Sequence, residues 1–274
     1  MRAETPLEEF REEVWDYYHD HARSMPWRDD PSPYHVLVSE LMLQQTQVGR
    51  VLPKYGEFMA RFPSIRALSE APLADVLSAW SGLGYNRRAK FLHAAAQKVM
   101  QDFNGELPGT LEELVSLPGV GKNTAGAILC YAFNQPVPFI ETNVRSVFIH
   151  HFFNDRSGVD DKEILSLVEQ ACDPEHPREW YWALMDYGTY LKQTLGNNIS
   201  QSKHYVRQST FEGSRRQIRG RVLKKLTQES VALHEMLEQV QDERTESVLA
   251  DLLREGFIEE YDGRLRLTGG SKLP

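Results

Sequence analysis

The sequence predicts a mainly α-helical chain that ends in a small winged-helix-like module. Apolar residues recur at helical spacing through most of the first 200 residues, and sustained strand alternation is missing from that part. Near the C-terminus, Asp262 and Gly263 lie between short alternating segments, which is a strong signal for a β-hairpin. Three short helical patterns precede this hairpin, and that order is typical of a winged helix.

Proline and glycine separate the predicted helices. The first helix carries Phe10 and Val14 on one face, and the second follows Asp30-Pro-Ser-Pro and reaches Leu43. Further helices are predicted over 51–62, 73–80, 87–103, 111–116, 123–133, 143–153, 161–172 and 179–195. A polar stretch after Gly196 predicts a connector, followed by helical patterns at 221–227, 230–240 and 245–255. We therefore expect a helical core over 1–195, a basic connector over 196–220 and a winged-helix-like module over 221–274.

The composition excludes several classes of protein. Hydrophobic residues make up 41% of the 274 residues, too many for a wholly disordered chain. The mean hydropathy is −0.48, no apolar run approaches the roughly 20 residues that span a bilayer, and the N-terminus has no apolar signal core. We therefore expect a soluble, cytoplasmic protein with no membrane partner.

Cys130 and Cys172 are the only cysteines, which excludes a disulfide framework and a four-thiolate site. A reduced pair of thiols is favoured, and one disulfide between them is the alternative.

Charge is distributed unevenly along the chain. The net charge is −8, yet residues 203–225 carry eight basic residues and one acid, Glu212, for a local charge of +7. Residues 226–262 carry eleven acids and two arginines, for a local charge of −9. Such a switch suggests two surfaces with different partners, and a basic patch suits nucleic acid. A solvated loop is the alternative for the basic stretch.

The most informative short motif is Leu-Pro-Gly-Val-Gly-Lys at 117–122, between two predicted helices. Gly119 and Gly121 permit positive φ and a close approach of another molecule to the backbone. The N–H groups at the start of the next helix are then available to an anion such as a nucleic-acid phosphate, and Lys122 adds a point charge. An ordinary tight corner between two helices is the alternative.

These motifs, read with their flanks, resemble the helix-hairpin-helix DNA glycosylases and, within them, the MutY-type adenine glycosylases. The resemblance runs from about residue 10 to Leu191, and its most specific string is 39–48, which contains Ser39-Glu40 and Gln44-Gln45. It implies an all-α fold of two helical subdomains with a cleft, and an enzyme that flips a base and hydrolyses its N-glycosidic bond. The matching stretches are 26–28, 33–48, 80–89, 117–122 and 143–145.

The resemblance assigns two carboxyl groups to the chemistry. Excision passes through an oxocarbenium-like sugar, so one acid protonates the leaving base and another offsets the positive charge on the sugar. Glu40 matches the family's general acid, and its place in an apolar helix is expected to raise its pKa. Glu141 stands where the family has an aspartate, and Asn143 is expected to help hold that carboxylate or a water. The alternatives are a solvent-facing glutamate at 40 and a neighbour of a helix cap at 141.

Asn123 bears on strand cleavage. Bifunctional relatives of the endonuclease III type carry, at this position, a lysine that forms a Schiff base. Asparagine cannot form one, and Lys122 is one residue too early, about 100° around the helix. The resemblance therefore implies removal of the base without a lyase step.

The resemblance also implies a set of DNA contacts. Gln44 and Gln45 match family residues that enter the duplex, with helix-surface glutamines as the alternative. Tyr85 is expected to stack on DNA or to pack beneath a turn. The other contacts expected in this part of the chain are Arg88, Pro118, Gly119, Val120, Gly121, Lys122 and Asn123.

Two residues near the N-terminus and two histidines on a later helix have other expected roles. Trp27 and Arg28 resemble base-pocket residues, and a structural ion pair is the alternative for Arg28. His150 and His151 are expected to be core or surface residues and not metal ligands, so no metal site built from side chains is expected.

The chain departs from the family in two places. Many relatives carry a four-cysteine [4Fe–4S] loop after the helix that ends near Leu191, but residues 192–211 contain no cysteine. We expect no iron–sulfur cluster and no cofactor beyond a K⁺ or Na⁺ ion at the hairpin carbonyls. Arg215, Arg216 and Arg219 are expected to replace the loop's hold on DNA.

MutY-type enzymes usually end in a Nudix-like domain that recognises 8-oxoguanine, whereas this chain ends in an acidic module suited to a protein partner or to packing on the basic segment.

The expected substrate is double-stranded DNA with adenine opposite guanine or 8-oxoguanine, and the expected form is a monomer associated with the nucleoid. Two alternatives stay open. One is a glycosylase that removes thymine, uracil or another damaged base from a mispair. The other is a non-catalytic relative that binds lesions and recruits partners through its acidic module.

Overall fold

Helices dominate the chain, and most of them end within two residues of the predicted bounds. The computed structural model describes residues 7–207 and 210–270. Within these residues the α-helices are α1 (Leu7–His21), α2 (Pro26–Asp29), α3 (Pro33–Leu43), α4 (Val48–Arg61), α5 (Ile65–Glu70), α6 (Leu73–Ala79), α7 (Arg87–Asp102), α8 (Leu111–Val115), α9 (Lys122–Phe133), α10 (Thr142–Phe152), α11 (Asp161–Ala171), α12 (Pro177–Thr194), α13 (Arg215–Leu226), α14 (Leu233–Val240) and α15 (Thr245–Arg254). The strands are β1 (Val231–Ala232), β2 (Ile258–Tyr261) and β3 (Arg264–Leu267).

Capping side chains set the start of several helices. Ser64 caps α5 by accepting a hydrogen bond from the Ala67 N–H, and Thr110 caps α8 in the same way. Asp160 begins α11 with a reciprocal capping box. Each cap satisfies a backbone donor that has no partner within its helix. The helix α5 was not among the predicted ones, because six residues are too few to show a periodic pattern.

The predicted connector over 196–220 is wrong in its second part, because α13 begins at Arg215. Ser214 caps this helix, and the Gln217 N–H donates to its hydroxyl at 3.3 Å. Gly220 resembled a break but lies inside the helix, with open space where a Cβ would stand. A glycine there costs a helix about 1 kcal/mol relative to alanine, and the buried side chains of Ile218 and Val222 offset that cost.

The chain divides into two compact units. The first contains the described residues up to Val36, Gly109–Ser116 and Val120–Arg207. The second contains Leu37–Pro108, Leu117–Gly119 and the described residues from 210 to 270. The C-terminal module therefore groups with residues 37–108, while the predicted domain boundaries at 195 and 220 stay predictions.

Aromatic side chains fill the core of the first unit, where α12 packs on α10 and α1. The ring of Phe10 lies 5.2 Å from that of Phe148 between centroids, and Phe139 stacks on Tyr181 at 4.1 Å. Gly188 lets α12 approach the start of α10, because a Cβ at this position would lie 2.7 Å from the Asn143 carbonyl oxygen. This close approach brings α12 against the first turn of α10.

The second unit joins α4–α7 to the winged-helix-like module. Helices α13, α14 and α15 precede the hairpin of β2 and β3, and β1, which lies between α13 and α14, completes an antiparallel sheet with strand order β1-β3-β2. Asp262 and Gly263 both have positive φ, 53° and 71°, as a two-residue hairpin turn requires. The predicted hairpin and the three helices before it are therefore confirmed.

Ion pairs join the basic and acidic segments within this module. Arg215 on α13 pairs with Asp251 on α15, and Arg219 pairs with Glu255 at 2.8 Å. Arg87 on α7 reaches the same Glu255 carboxylate at 2.7 Å. Packing of the acidic stretch on the basic stretch, one of the two roles expected for it, is present in the fold.

The expectations about membrane-spanning helices and about the two cysteines can be compared with the described residues. None of the helices there is both long and apolar enough to cross a bilayer. Cys130 is buried, Cys172 is half-buried, and the two thiols are not joined in a disulfide.

Candidate functional site

A carboxyl group, an amide and two cations meet at the start of α10. Glu141 precedes the first helical residue in extended conformation, at φ −93° and ψ 165°. Burial raises the pKa of its carboxyl, whereas the cations of Arg145 and Lys192 and the Thr142 N–H favour the ionised form. Burial therefore raises the pKa of this carboxyl, while the neighbouring cations lower it.

Lys192 comes to this group from α12. Its Nζ donates a hydrogen bond of 2.6 Å to Oδ1 of Asn143. Burial and the nearby Arg145 lower the pKa of Lys192 to about 8, so the amine is mostly protonated at neutral pH. Arg145 is itself fixed by Asp161, with its Nε and Nη2 at 2.8 and 2.7 Å from the two carboxylate oxygens.

The sequence analysis missed Lys192, although one signal pointed to it. Lys192 follows Gly188 by four residues, so the two lie on the same face of α12. Gly188 is the point at which α12 touches Asn143. A lysine one turn beyond such a contact is placed to reach the same partner.

Glu40 lies on α3, three residues before the helix ends at Leu43. Its neighbours Leu37, Leu41 and Ser39 are buried, and Glu40 is half-buried, as expected of a carboxyl in an apolar helix. Glu40 belongs to the second unit and Glu141 to the first. The expected convergence of the two acids on one nucleotide stays a prediction.

The chain turns immediately after α3. Gln44 and Gln45 form this turn, which ends the possibility that they lie on the surface of a regular helix. Gln45 is exposed and has φ +54°, a left-handed conformation that is uncommon outside glycine. The Gln44 amide nitrogen lies 3.5 Å from the Gly119 carbonyl oxygen. Backbone strain of this kind clusters at ligand-binding turns.

Arg88 was expected to contact DNA, and the structure instead directs it at the protein. Only 6% of the residue is exposed. Its guanidinium donates to the Leu41 and Met42 carbonyls at 2.9 and 2.7 Å, to Thr46 Oγ1 at 3.0 Å and to the Gly84 carbonyl at 3.1 Å. Burial lowers the pKa of Arg88 to about 10, so it stays charged. Arg88 is a positioning residue that ties the turn after α3 to the turn at 82–85.

Tyr85 ends that second turn. It has φ +47°, after Gly82 and Gly84 with φ of +98° and +72°. The Trp80 indole N–H donates to the Gly84 carbonyl at 3.1 Å and fixes the turn from below. The Tyr85 ring is half-buried, and its hydroxyl accepts a hydrogen bond from Arg216. Tyr85 and Gln45 are thus two strained residues whose turns share one anchor.

The hairpin motif occupies the loop between α8 and α9. Gly119 has φ +80°, and a Cβ there would lie 2.7 Å from Phe91 Cβ, so only glycine fits. Gly121 differs from the expectation, with φ −87° as the N-cap of α9 and open space beside it. No side chain caps α9, and Lys122 and Asn123 at its start are exposed. Buried Leu117 and Val120 anchor the loop, with Pro118 half-buried between them.

Arg28 forms the structural ion pair that was its alternative role. Its Nη1 and Nη2 each lie 2.8 Å from a carboxylate oxygen of Asp186, which is 1% exposed. Arg23 donates to the same carboxylate at 2.7 Å. Trp27 is buried beside it, at 6% exposure. His151, expected to be a core or surface residue, is half-buried and lies 3.1 Å from the Tyr187 hydroxyl.

The segment after α12 holds its place without cysteine. Asn198 Nδ2 donates to the Ser146 carbonyl at 2.9 Å, Gln201 Nε2 donates to the Asn154 carbonyl at 2.8 Å, and Ile199 is buried. Residues 7–207 and 210–270 contain no group of three or more side chains suited to a metal ion. Because the sequence holds two cysteines in all, the residues present do not fit a four-thiolate cluster.

Comparison with known proteins decides the family. Residues 38–174 match the family described as HhH-GPD superfamily base excision DNA repair protein. The adenine DNA glycosylase of Mycobacterium tuberculosis (strain ATCC 25618 / H37Rv) is 35% identical over 92% of this chain and 91% of its own length. The chain belongs to the HhH-GPD superfamily and, within it, to the adenine DNA glycosylases. The family member from Mus musculus is 37% identical over 65% of this chain and 37% of its own length.

Other relatives are longer, or share mainly the fold. The chain spans 60% of the adenine DNA glycosylase of Buchnera aphidicola subsp. Baizongia pistaciae, at 36% identity over 74% of this chain. A thermostable thymine-DNA glycosylase structure is similar with a TM-score of 0.60 and 25% identity, over 66% of this chain and 85% of that one. An endonuclease III–DNA complex has a TM-score of 0.60 at 18% identity, over 72% and 91%, and shows the fold alone. The predicted helix-hairpin-helix glycosylase fold is confirmed.

Proposed function

We propose that the chain removes adenine mispaired with guanine or 8-oxoguanine from double-stranded DNA and leaves an abasic site. The observation that carries the proposal is the Glu141 group. A half-buried carboxyl stands at the start of α10 among cations that favour its ionised form, in a member of the adenine DNA glycosylase family. A carboxylate held in this way suits the stabilisation of a positive sugar.

The chemistry divides between two acids. Glu40 gives a proton to a nitrogen of the purine while the bond between that base and C1′ breaks. The Glu141 carboxylate offsets the charge on the oxocarbenium-like sugar until water adds to C1′ and releases a proton to the solvent, from which Glu40 regains the proton that it gave. Free adenine and an abasic deoxyribose are the products.

Lys192 and Asn143 act as positioning residues for this step. The Lys192 ammonium holds the Asn143 amide at 2.6 Å and places positive charge near Glu141. The side chain of Glu141 is one methylene longer than the aspartate of the family, so its carboxylate needs firm placement. A misplacement of about 1 Å costs about 100-fold in rate.

The enzyme is proposed to lack a lyase step, because Asn123 stands at the position where a lysine would form a Schiff base. Asn123 is exposed in the first turn of α9. Its amide has no nucleophilic nitrogen at neutral pH, so the abasic strand stays intact.

Duplex DNA is proposed to bind through backbone and wedge contacts. The uncapped N–H groups at the start of α9 bind a phosphate, helped by Lys122 and the open space at Gly121. Gln44, Gln45 and Tyr85 enter the stack where the flipped base leaves. A K⁺ or Na⁺ ion at the hairpin carbonyls and a monomeric, nucleoid-associated form belong to the same proposal, and no iron–sulfur cluster does.

A panel of duplexes tests the proposed function. The full chain is incubated with duplexes that carry adenine, thymine or uracil opposite guanine and 8-oxoguanine, followed by alkali to cleave abasic sites. We expect cleavage at adenine, and only after alkali. Cleavage before alkali would contradict the absence of a lyase step, and no cleavage in any duplex would contradict a catalytic role.

A second candidate is excision of thymine or uracil from mispairs with guanine. It is favoured by the similarity to the thermostable thymine-DNA glycosylase, at a TM-score of 0.60 and 25% identity. The same panel separates the two, since this candidate requires cleavage at thymine or uracil and none at adenine.

A further inference from the structure

One carboxylate joins the winged-helix-like module to the start of α7. Glu255 accepts two hydrogen bonds from Arg87 on α7, at 3.1 and 2.7 Å, and two from Arg219 on α13, at 3.1 and 2.8 Å. The Glu255 side chain is 17% exposed. Bidentate pairs that share a carboxylate contribute more than isolated surface ion pairs do. Glu255 is therefore a firm link between the module and α7.

A second contact lies one turn further along α7, on the same side of the helix. The Lys90 ammonium donates to the backbone carbonyl of Glu255 and lies 5.4 Å from the centroid of the Phe257 ring. Gly256 lies between these two residues with φ +66°, and a Cβ there would lie 3.1 Å from the Lys90 nitrogen. The module thus holds α7 at two successive turns.

The same stretch of α7 also places two elements outside the module. Arg88 donates to the Met42 carbonyl at 2.7 Å and to Thr46 Oγ1 at 3.0 Å, and so fixes the turn after α3. Phe91 packs against the hairpin, where a Cβ on Gly119 would lie 2.7 Å from its own Cβ. All of these residues belong to the second unit. One short segment of α7 therefore contacts the module, the turn after α3 and the hairpin.

We propose that Glu255 is a positioning residue for base excision. By holding Arg87 it fixes the segment of α7 from which Arg88 places the turn after α3 and Phe91 places Gly119. This role rests on the proposed function, because that function assigns DNA contacts to this turn and to the hairpin. The acidic module then has a part in the reaction without binding DNA through its acids.

Single-turnover excision at saturating enzyme tests this role in the full chain. Glu255→Ala should lower the rate of adenine excision about tenfold, which is less than the roughly 100-fold cost of misplacing a reacting group by about 1 Å. Glu260→Ala is the matched control, since it removes the same charge from an exposed position on β2 of the same module. It should leave the rate unchanged. Urea denaturation verifies that each variant is folded.

Partner variants separate positioning from a general loss of charge. Arg87→Ala should lower the rate by a similar factor. The double variant with Glu255→Ala should be no slower than Glu255→Ala alone, because both changes break one contact. Glu255→Asp keeps the carboxylate on a side chain that is one methylene shorter, and it should recover part of the rate.

Amide hydrogen exchange of the free chain measures the same link in the absence of DNA. The Gln44 and Thr46 amides are hydrogen-bonded within the turn that Arg88 holds. We expect Glu255→Ala to accelerate exchange at both amides about tenfold through local opening, and Glu260→Ala to leave it unchanged. Amides of α1, in the first unit, should exchange equally in all variants.

Unchanged exchange at Gln44 and Thr46 in Glu255→Ala, or an excision rate equal to that of Glu260→Ala, would overturn the proposal. A faster rate would show that Glu255 obstructs the substrate and would overturn it as well. No excision by the unmodified chain would count against the proposed function and this role together. Unchanged exchange in a chain that does excise adenine would count against this role alone.

Discussion

At the residue scale, neighbouring groups act in opposite directions on the ionisation of the Glu141 carboxyl. Burial favours its neutral form, and Arg145 and Lys192 favour its carboxylate. Arg145 is partly neutralised by Asp161 at 2.7 Å, whereas Lys192 is bonded to an uncharged amide. Arg145 has the larger effect on the pKa of Glu141, but its removal would also leave Asp161 unpaired, so Lys192 is the cation whose replacement gives the cleaner test.

We predict that Lys192→Gln moves the acid limb of the excision rate to higher pH. Removal of the cation raises the pKa of Glu141 further, so the carboxylate that the reaction needs forms only at higher pH. A nearby positive charge favours the ionised form of a carboxyl, so its loss can move the limb only toward higher pH. Single-turnover rates measured across the acid and neutral range give the limb directly.

Lys192→Arg is the control, because it keeps the positive charge. Its acid limb should stay near that of the unmodified chain, even if the rate at the plateau falls. A Lys192→Gln profile that drops uniformly without any shift in pH would show that Lys192 only supports the fold.

Sequence patterns identified the type of several site residues but not their surroundings. Glu40 and Glu141 were found through the motif strings that contain them. Lys192 was not, because its role depends on the contact between α10 and α12 at Gly188, which no local pattern encodes. Arg88 was found as a positive charge, yet only the fold shows that carbonyls of two turns surround it.

At the scale of elements, the two glycines of the hairpin between α8 and α9 have different roles. Gly119 is required by its own backbone, with φ +80° and no room for a Cβ beside Phe91. Gly121 has φ −87° and open space around it, so nothing within the fold requires glycine there. Space that the protein leaves empty beside uncapped N–H groups is where a phosphate would approach.

We predict that alanine at the first position mainly affects stability and that alanine at the second mainly affects DNA binding. Gly119→Ala should lower the free energy of unfolding by about 2 kcal/mol, through left-handed strain and the clash with Phe91. Gly121→Ala should leave the free energy of unfolding within about 0.5 kcal/mol and weaken duplex binding several-fold. Urea denaturation and anisotropy titration provide the two measurements. Duplex binding that survives Gly121→Ala undiminished would remove the phosphate from this position.

The ends of helices and strands could be predicted where turn residues marked them. The prediction failed where a glycine lay inside a helix. The Asp-Gly pair located the hairpin between β2 and β3, because few other dipeptides accept two positive φ values in a row. Gly220 suggested a break, but Ser214 caps α13 upstream and the helix runs through the glycine. A cap with a buried face outweighs one poor helix former.

At the scale of the whole molecule, the sequence showed the charge switch but not its use. The −9 stretch meets the +7 stretch inside the winged-helix-like module, where Asp251 and Glu255 engage Arg215 and Arg219. Arg215 and Arg219 were expected to bind DNA and are held by these acids. Arg221 and Lys224, further along α13, are exposed. The packing of the helices decides which charged residues pair, and the composition of the chain does not show that packing.

The proposed chemistry requires that Glu40 and Glu141 act on one nucleotide. The most direct test is the single-turnover rate of Glu40→Gln, Glu141→Gln and the double variant on a duplex with adenine opposite 8-oxoguanine, with exposed Glu70→Gln as control. We predict that each single change lowers the rate about 10³-fold while duplex binding stays intact, and that the double variant is about as slow as the slower single one, because the two groups act as a unit. Near-normal excision by either single variant, or losses that multiply in the double one, would contradict the claim.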